Sequence, residues 1–322
     1  MINKQIVNNL LGPKTVKTAL FTFLLAVIFY IFLSLYSGPE KITIVFSRFP
    51  TVKFLPIILL TVILGWFLRG LRWHYYLRQL DIKRISLWES LHIFFASFAF
   101  TVTPGKAGEL IKGFFLKDNY NVSFFKTAGI LFMERLMDLA AVLVLSASLI
   151  FVNKQHLWLF FACLIIVAFC FILLCFENIY KPLLVWLLKF RFLNWISRKI
   201  LEILETSKTL LSPQKVLVSM MFSVLAWGLE AAAFYFVLAG FGFTAISFYW
   251  AVFIYALSTI AGALSMLPGG IVSTEATMFA LLALQNISVS MSVPAVLLFR
   301  FCTLWFIPLL GVFFMIFLLK KY

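Results

Sequence analysis

Runs of about 20 apolar residues recur near 16–36, 55–73, 126–152, 157–176, 215–240 and 292–319. At about 1.5 Å per residue, each is long enough as a helix to cross a hydrocarbon layer of roughly 30 Å. Two further apolar stretches, 86–118 and 247–287, are interrupted in the middle by Pro104-Gly105 and Pro268-Gly269. Proline removes a backbone donor and glycine tolerates chain reversal, so Pro104, Gly105, Pro268, Gly269 and Gly270 are read as hinges at which each stretch folds back. Irregular backbone facing lipid is forbidden, so these broken helices must be buried by protein or line a polar cavity. The pattern predicts an all-α integral membrane protein with six full transmembrane helices plus two re-entrant Pro-Gly-broken helical hairpins.

The expected organisation is one membrane domain over 1–322: a first helix at 16–36, a repeat at 55–152, a linking helix at 157–176, a segment at 177–214 and a second repeat at 215–319. The first apolar run follows Lys4, Lys14 and Lys17 but is long for a signal peptide and has no small-x-small cleavage site, so an uncleaved helix is expected. In the segment 177–214, Lys181, Lys189, Arg191, Arg198, Lys199 and Lys208 alternate with Leu, Ile, Trp and Phe. This composition predicts an amphipathic helix on the cytoplasmic leaflet, where a plain loop would carry fewer leucines.

With 63% hydrophobic and 12% charged residues, the chain cannot be an ordinary water-soluble globule. In a soluble protein a formal charge of +15 would suggest nucleic acid. Here the basic residues lie mainly between apolar runs, where they set orientation. With both termini in the cytoplasm, 21 of the 27 lysines and arginines fall on the inner side and four outside. The orientation expected is that of a multi-pass protein of a bacterial cytoplasmic (inner) membrane, with no nucleic-acid partner. Cys163, Cys170, Cys175 and Cys302 lie in apolar runs and are read as packing residues.

The two repeats share an order: crossing helix, Pro-Gly hairpin, glutamate, then a second crossing helix holding an arginine. Pro104 precedes Glu109 by five residues and Glu109 precedes Arg135 by 26; Pro268 precedes Glu275 by seven and Glu275 precedes Arg300 by 25. In the expected orientation the first hairpin enters from the cytoplasm and the second from outside, which makes an inverted-topology repeat of the kind alternating-access transporters use.

A charge at a helix centre costs about 2.5 to 3.5 kcal/mol on insertion scales, so charges kept there usually face a cavity or a partner. Glu134 and Asp138 share a helix face, and Arg135 lies three residues from Asp138. One arginine cannot neutralise both carboxylates. The excess needs Arg72, Lys112, Arg300 or a cationic part of a substrate, unless the whole set is a buried ion network locking helices together. Glu109 and Glu275 each follow a Pro-Gly break, where a restarting helix favours a carboxylate or a phosphate. Arg135 and Arg300 are the expected phosphate grips, because an arginine fork suits that anion. Glu230 is a candidate proton carrier or a partner for Arg300. Arg69, Arg72, Arg78, Lys83 and Arg84 beside Trp73, Tyr75 and Tyr76 read as an interfacial belt. The three histidines are too scattered for a metal site, and no nucleotide-binding loop or nucleophile elbow occurs. No cofactor, metal or catalytic residue is expected.

The segments Thr103-Pro-Gly-Lys-Ala-Gly-Glu109, Glu134-Arg-Leu-Met-Asp138, Leu267-Pro-Gly-Gly-Ile-Val-Ser-Thr-Glu275 and Arg300 to Trp305 resemble the lysylphosphatidylglycerol synthase transmembrane region family over nearly the whole chain. That flippase-like family includes the membrane half of the multiple peptide resistance factor. The resemblance implies movement of lipid between leaflets and carries that role to Glu109, Glu134, Arg135, Asp138, Glu275 and Arg300. The first motif departs from the family form at Lys106, where arginine is more usual. Lysine keeps the charge and loses the bidentate fork. Relatives that synthesise aminoacylated lipid carry a soluble domain after the membrane region, and the chain given ends at Tyr322.

The function expected is a flippase-like translocator of a phospholipid, an aminoacylated phospholipid or a polyprenyl-phosphate-linked headgroup, bound by Arg72, Lys106, Glu109, Lys112, Glu134, Arg135, Asp138, Glu230, Glu275 and Arg300. The alternatives are a membrane component of lipid headgroup modification, as in lysylphosphatidylglycerol synthesis, and a scaffold that recruits a separate lipid-modifying synthase. Partners expected besides the bilayer are that synthase and a second copy in a homodimer.

Overall fold

A computed structural model describes residues 27–35, 38–82, 84–101, 109–148 and 194–321, with Leu24 and a few isolated positions between 161 and 182. The apex of the first hairpin with Pro104, Gly105 and Lys106, most of the linking helix expected at 157–176 and most of 177–193 lie outside the described residues.

All regular structure among the described residues is helical. Helix α1 covers 27–35, α2 Pro39–Ser47, α3 Thr51–Gln79, α4 Leu87–Ser97, α5 Ile111–Tyr120 and α6 Phe124–Ser146. Then come α7 Asn194–Thr209, α8 Pro213–Gly240, α9 Phe248–Leu264, α10 Ser273–Ala283, α11 Val289–Arg300 and α12 Phe306–Lys321. Among the described residues, three helical stretches are long and apolar enough to cross a membrane: Thr51–Gln79, Pro213–Gly240 and Val289–Leu318. The last runs through α11 and α12, joined by a π-helical turn at Phe301–Trp305. Helix α6 has 23 residues, enough length to span, but carries Lys126, Glu134, Arg135 and Asp138. Leu60, Leu64, Leu217, Leu225, Leu309 and Phe313 are exposed on these long helices, while Trp66, Trp73, Tyr76, Phe234 and Phe299 are buried among them. So much apolar side chain facing outward is intelligible only in lipid, and the chain is a multi-pass membrane protein.

Helices α3 and α8 make the most extensive contact in the structure. A Cβ on Gly65 would stand 2.9 Å from the Ala226 carbonyl oxygen, so only glycine lets the backbones approach here. Further along α3, Arg72 donates to Ser223 Oγ. If the helices ran parallel and were level at 65 and 226, Arg72 and Ser223 would be ten residues, about 15 Å, apart along the axis. The contact therefore requires an antiparallel crossing.

Local geometry recurs along the chain. Helices α3 and α8 are both followed, two residues past their ends, by a residue with positive φ, Asp81 (60°) and Gly242 (82°). In both ends the next amide reaches back, Ile82 N to Leu77 O and Phe243 N to Leu238 O, each at 3.0 Å. Helices α4 and α9 both begin on a serine, Ser86 or Ser247, whose hydroxyl accepts from the amide three residues on. All these pairs are 161 residues apart. Later, Asn121-Val122-Ser123 and Asn286-Ile287-Ser288 each place asparagine at positive φ and serine as the cap of the next helix. These are 165 residues apart.

At the second Pro-Gly break, a 3-10 turn over Pro268–Gly270 joins α9 to α10, and the two helices pack side by side. Gly269 and Gly270 take φ of 60° and 64°, and Val272 takes 76°, a costly value for a β-branched residue. Helix α7 segregates apolar from polar residues as expected for 177–214, though only Asn194–Thr209 is described as that helix. One face packs on α6, where Ser207 Oγ donates to the Gly129 carbonyl at 3.1 Å. Near its start Trp195 and Ile196 are exposed, and the Trp195 ring centroid stands 6.4 Å from that of Phe125 on α6.

Candidate functional site

Helices α3, α5, α6 and α8, with the turn just before α5, bring eight charged side chains into one region. Lys112 on α5 is fully buried, with Nζ 3.1 Å from Glu134 and 3.7 Å from Glu109. Its ammonium also stands over the rings of Trp73 and Phe94 at 4.6 and 4.8 Å, which replaces part of its lost hydration. Arg72 on α3, 1% exposed, bonds Asp138 at 2.7 Å, and the Trp227 indole N–H donates to the same carboxylate oxygen at 3.0 Å. Arg69 pairs with Glu230 at 2.7 Å and lies over Trp227 at 4.1 Å. Tyr255 donates to the other Glu230 oxygen at 2.6 Å. Arg135 bridges Glu109 at 2.9 Å and Asp138 at 3.6 Å.

The balance is four cations against four carboxylates, and the excess expected from Glu134 and Asp138 is met by Lys112 and Arg72. One member differs from the others. The Arg135 side chain is 42% exposed, whereas those of Arg69, Arg72 and Lys112 are 13%, 1% and 0% exposed. A cleft opens where Arg135 lies, lined by Arg69, Arg72, Phe94, Phe98, Thr101, Glu109, Glu134, Asp138, Trp227 and Ile307 besides Arg135 itself. Chemically it offers a guanidinium fork able to exchange partners, backed by carboxylates that already have second cations.

Glu275 and Arg300 meet elsewhere. Arg300 Nε donates to Glu275 at 2.6 Å and its terminal nitrogen donates to the Gly269 carbonyl at 2.6 Å. Tyr30, from α1, donates to the same Glu275 oxygen at 2.8 Å. Glu275 sits in the first turn of α10, as expected for a carboxylate following the break. Glu109 lies in a short 3-10 turn just before α5.

Several sequence expectations need correction. Glu230 does not pair with Arg300; Arg69 and Tyr255 hold it. Arg72, Trp73 and Tyr76 are no interfacial belt, because α3 continues to Gln79 and all three are buried. Arg69, Ser223, Trp227, Tyr255 and Tyr30 were missed as site residues. For Arg69 a signal existed: it lies three residues from Arg72, hence on the same helix face. Among the described residues, no group of three metal-ligating side chains occurs.

Compared with known proteins, residues 19–311 match the family model described as lysylphosphatidylglycerol synthase TM region. Neither curated proteins nor solved structures gave a match.

Proposed function

We propose that this chain, which belongs to the lysylphosphatidylglycerol synthase transmembrane region family, moves a phosphate-bearing lipid headgroup between leaflets through the cleft at Arg135. The family ties it to lipid headgroup modification or flipping. Phospholipids, aminoacylated phospholipids and polyprenyl-phosphate lipids share the phosphate ester that this reading requires. The observation that carries it is Arg135: a cation 42% exposed in a cleft of an apolar protein, where each intramembrane charge costs about 2.5 to 3.5 kcal/mol.

On this account the headgroup phosphate takes the fork of Arg135 from Glu109, while the acyl tails stay in the bilayer. Glu109 is not stranded, because Lys112 stands 3.7 Å away, and Asp138 keeps Arg72 and Trp227. Glu134, Lys112 and Arg72 are then positioning groups around the fork, and Lys106 adds charge nearby in sequence. The protein acts as a carrier and not as an enzyme.

The proposed architecture has six crossings and two re-entrant hairpins in an inverted-topology repeat, with Pro104-Gly105 and Pro268-Gly269-Gly270 as hinges. The recurring caps and turns and the antiparallel crossing of α3 and α8 support this reading. The proposed setting is a bacterial cytoplasmic membrane with both termini cytoplasmic. A homodimer and a separate synthase are proposed partners.

The test is reconstitution into liposomes and measurement of leaflet exchange of fluorescent phosphatidylglycerol, aminoacylated phosphatidylglycerol and a polyprenyl phosphate. Exchange of at least one lipid, lost in Arg135→Ala, is expected. Exchange no faster than in empty liposomes for all three contradicts the proposal.

A further inference from the structure

We infer that the two halves do unequal work: the charged groups that line the headgroup cleft all belong to the first half, and in the second half Arg300 and Glu275 form a latch that holds the Pro-Gly turn and binds no ligand. The inference rests on the translocation reading for the first half only.

Corresponding positions carry the argument. At the separation of 165 residues that matches Arg135 to Arg300, Glu134 falls on Phe299 and Asp138 on Thr303. At the separation of 161 that matches the serine caps, Arg72 falls on Ala233. Three charged groups of the first cleft are thus replaced by a ring, a hydroxyl and a methyl. The ring closes the space: Phe299 is 1% exposed, with its centroid 5.0 Å from that of Phe234 and 5.6 Å from that of Tyr255.

The two arginines differ in the same sense. Arg300 is 10% exposed, and its guanidinium is engaged at Nε by Glu275 and at a terminal nitrogen by the Gly269 carbonyl. Glu275 is fully buried and also receives the Tyr30 hydroxyl. The turn so fastened holds three unfavourable or glycine-requiring conformations within four residues, at Gly269, Gly270 and Val272. A strained turn persists only where its surroundings over-determine it, and the Arg300 bond to the Gly269 carbonyl supplies that constraint. A phosphate binding Arg300 would have to release the turn.

The experiment follows melting of the detergent-purified full chain with and without dihexanoyl phosphatidylglycerol, for wild type, Arg135→Gln, Arg300→Gln and Tyr30→Phe. Binding of lipid to the folded state raises the melting temperature. Arg135→Gln is expected to melt within about 2 °C of wild type without lipid and to lose the lipid-induced rise. Arg300→Gln is expected to melt more than about 5 °C lower and to keep the rise. Tyr30→Phe, a milder change, is expected to melt lower and keep the rise, and it decides the matter if Arg300→Gln does not fold. Wild-type melting of Arg300→Gln with loss of the rise would overturn the latch. If phosphatidylglycerol gives no rise in wild type, the translocation reading fails for that lipid, while the lipid-free melting still decides the latch.

Discussion

Asp138→Asn removes one negative charge while keeping the side chain's size. Asparagine can still accept from the Trp227 indole through its oxygen, but Arg72, 1% exposed, loses the carboxylate that stands 2.7 Å from it. Breaking a buried ion pair by removing one partner costs about 3 to 5 kcal/mol, because the other charge is left uncompensated. At roughly 2 °C per kcal/mol for a chain of this size, the melting temperature should fall by about 6 to 10 °C. Arg135→Ala is the contrast. Its side chain is 42% exposed, and both its partners keep a second cation, Lys112 for Glu109 and Arg72 for Asp138. A loss of about 1 kcal/mol or less follows, or no more than about 2 °C. The assay is thermal unfolding followed by tryptophan fluorescence in detergent. If Arg135→Ala melted as low as Asp138→Asn, the division into a rigid buried set and one exchangeable cation would be refuted, and the cluster would be a helix lock throughout.

Other consequences can be checked the same way. Gly65→Val forces a side chain against the Ala226 carbonyl and should destabilise by about 1 to 3 kcal/mol, lowering the melting temperature. Gly242→Ala adds a Cβ with open space around it but at a φ of 82°, so it should cost about 1 to 2 kcal/mol from backbone strain alone. Tyr255→Phe leaves one Glu230 oxygen without its donor and should cost about 1 to 3 kcal/mol, read in the same melting assay.

Much of the site was legible in the sequence because intramembrane charge is scarce. The spacings from Glu109 to Arg135 and from Glu275 to Arg300 close as two ion pairs, and the surplus carboxylates of α6 demanded the cations that Arg72 and Lys112 supply. The second Pro-Gly step was legible as a chain break, because proline and glycine act locally. The end of α3 was not. Polarity rises after Trp73 with His74, Arg78 and Gln79, so hydropathy stops the span early, whereas backbone hydrogen bonding continues to Gln79 and packing buries Arg72. Tyr30, Ser223, Trp227 and Tyr255 carry no formal charge and reach the ion pairs only through tertiary folding. Asn121-Val122-Ser123 and Asn286-Ile287-Ser288 are similar in sequence, yet three residues gain meaning only when both asparagines adopt positive φ.

The central claim is that a lipid headgroup passes through the Arg135 cleft, and its most direct measurement uses liposomes carrying NBD-labelled phosphatidylglycerol in both leaflets. Dithionite added outside bleaches only the label that reaches the outer leaflet. The account predicts bleaching beyond the outer-leaflet fraction with the wild-type protein and bleaching confined to that fraction with Arg135→Ala. Equal bleaching by the two proteins, beyond that fraction, would show that lipid crosses without this arginine and would contradict the account.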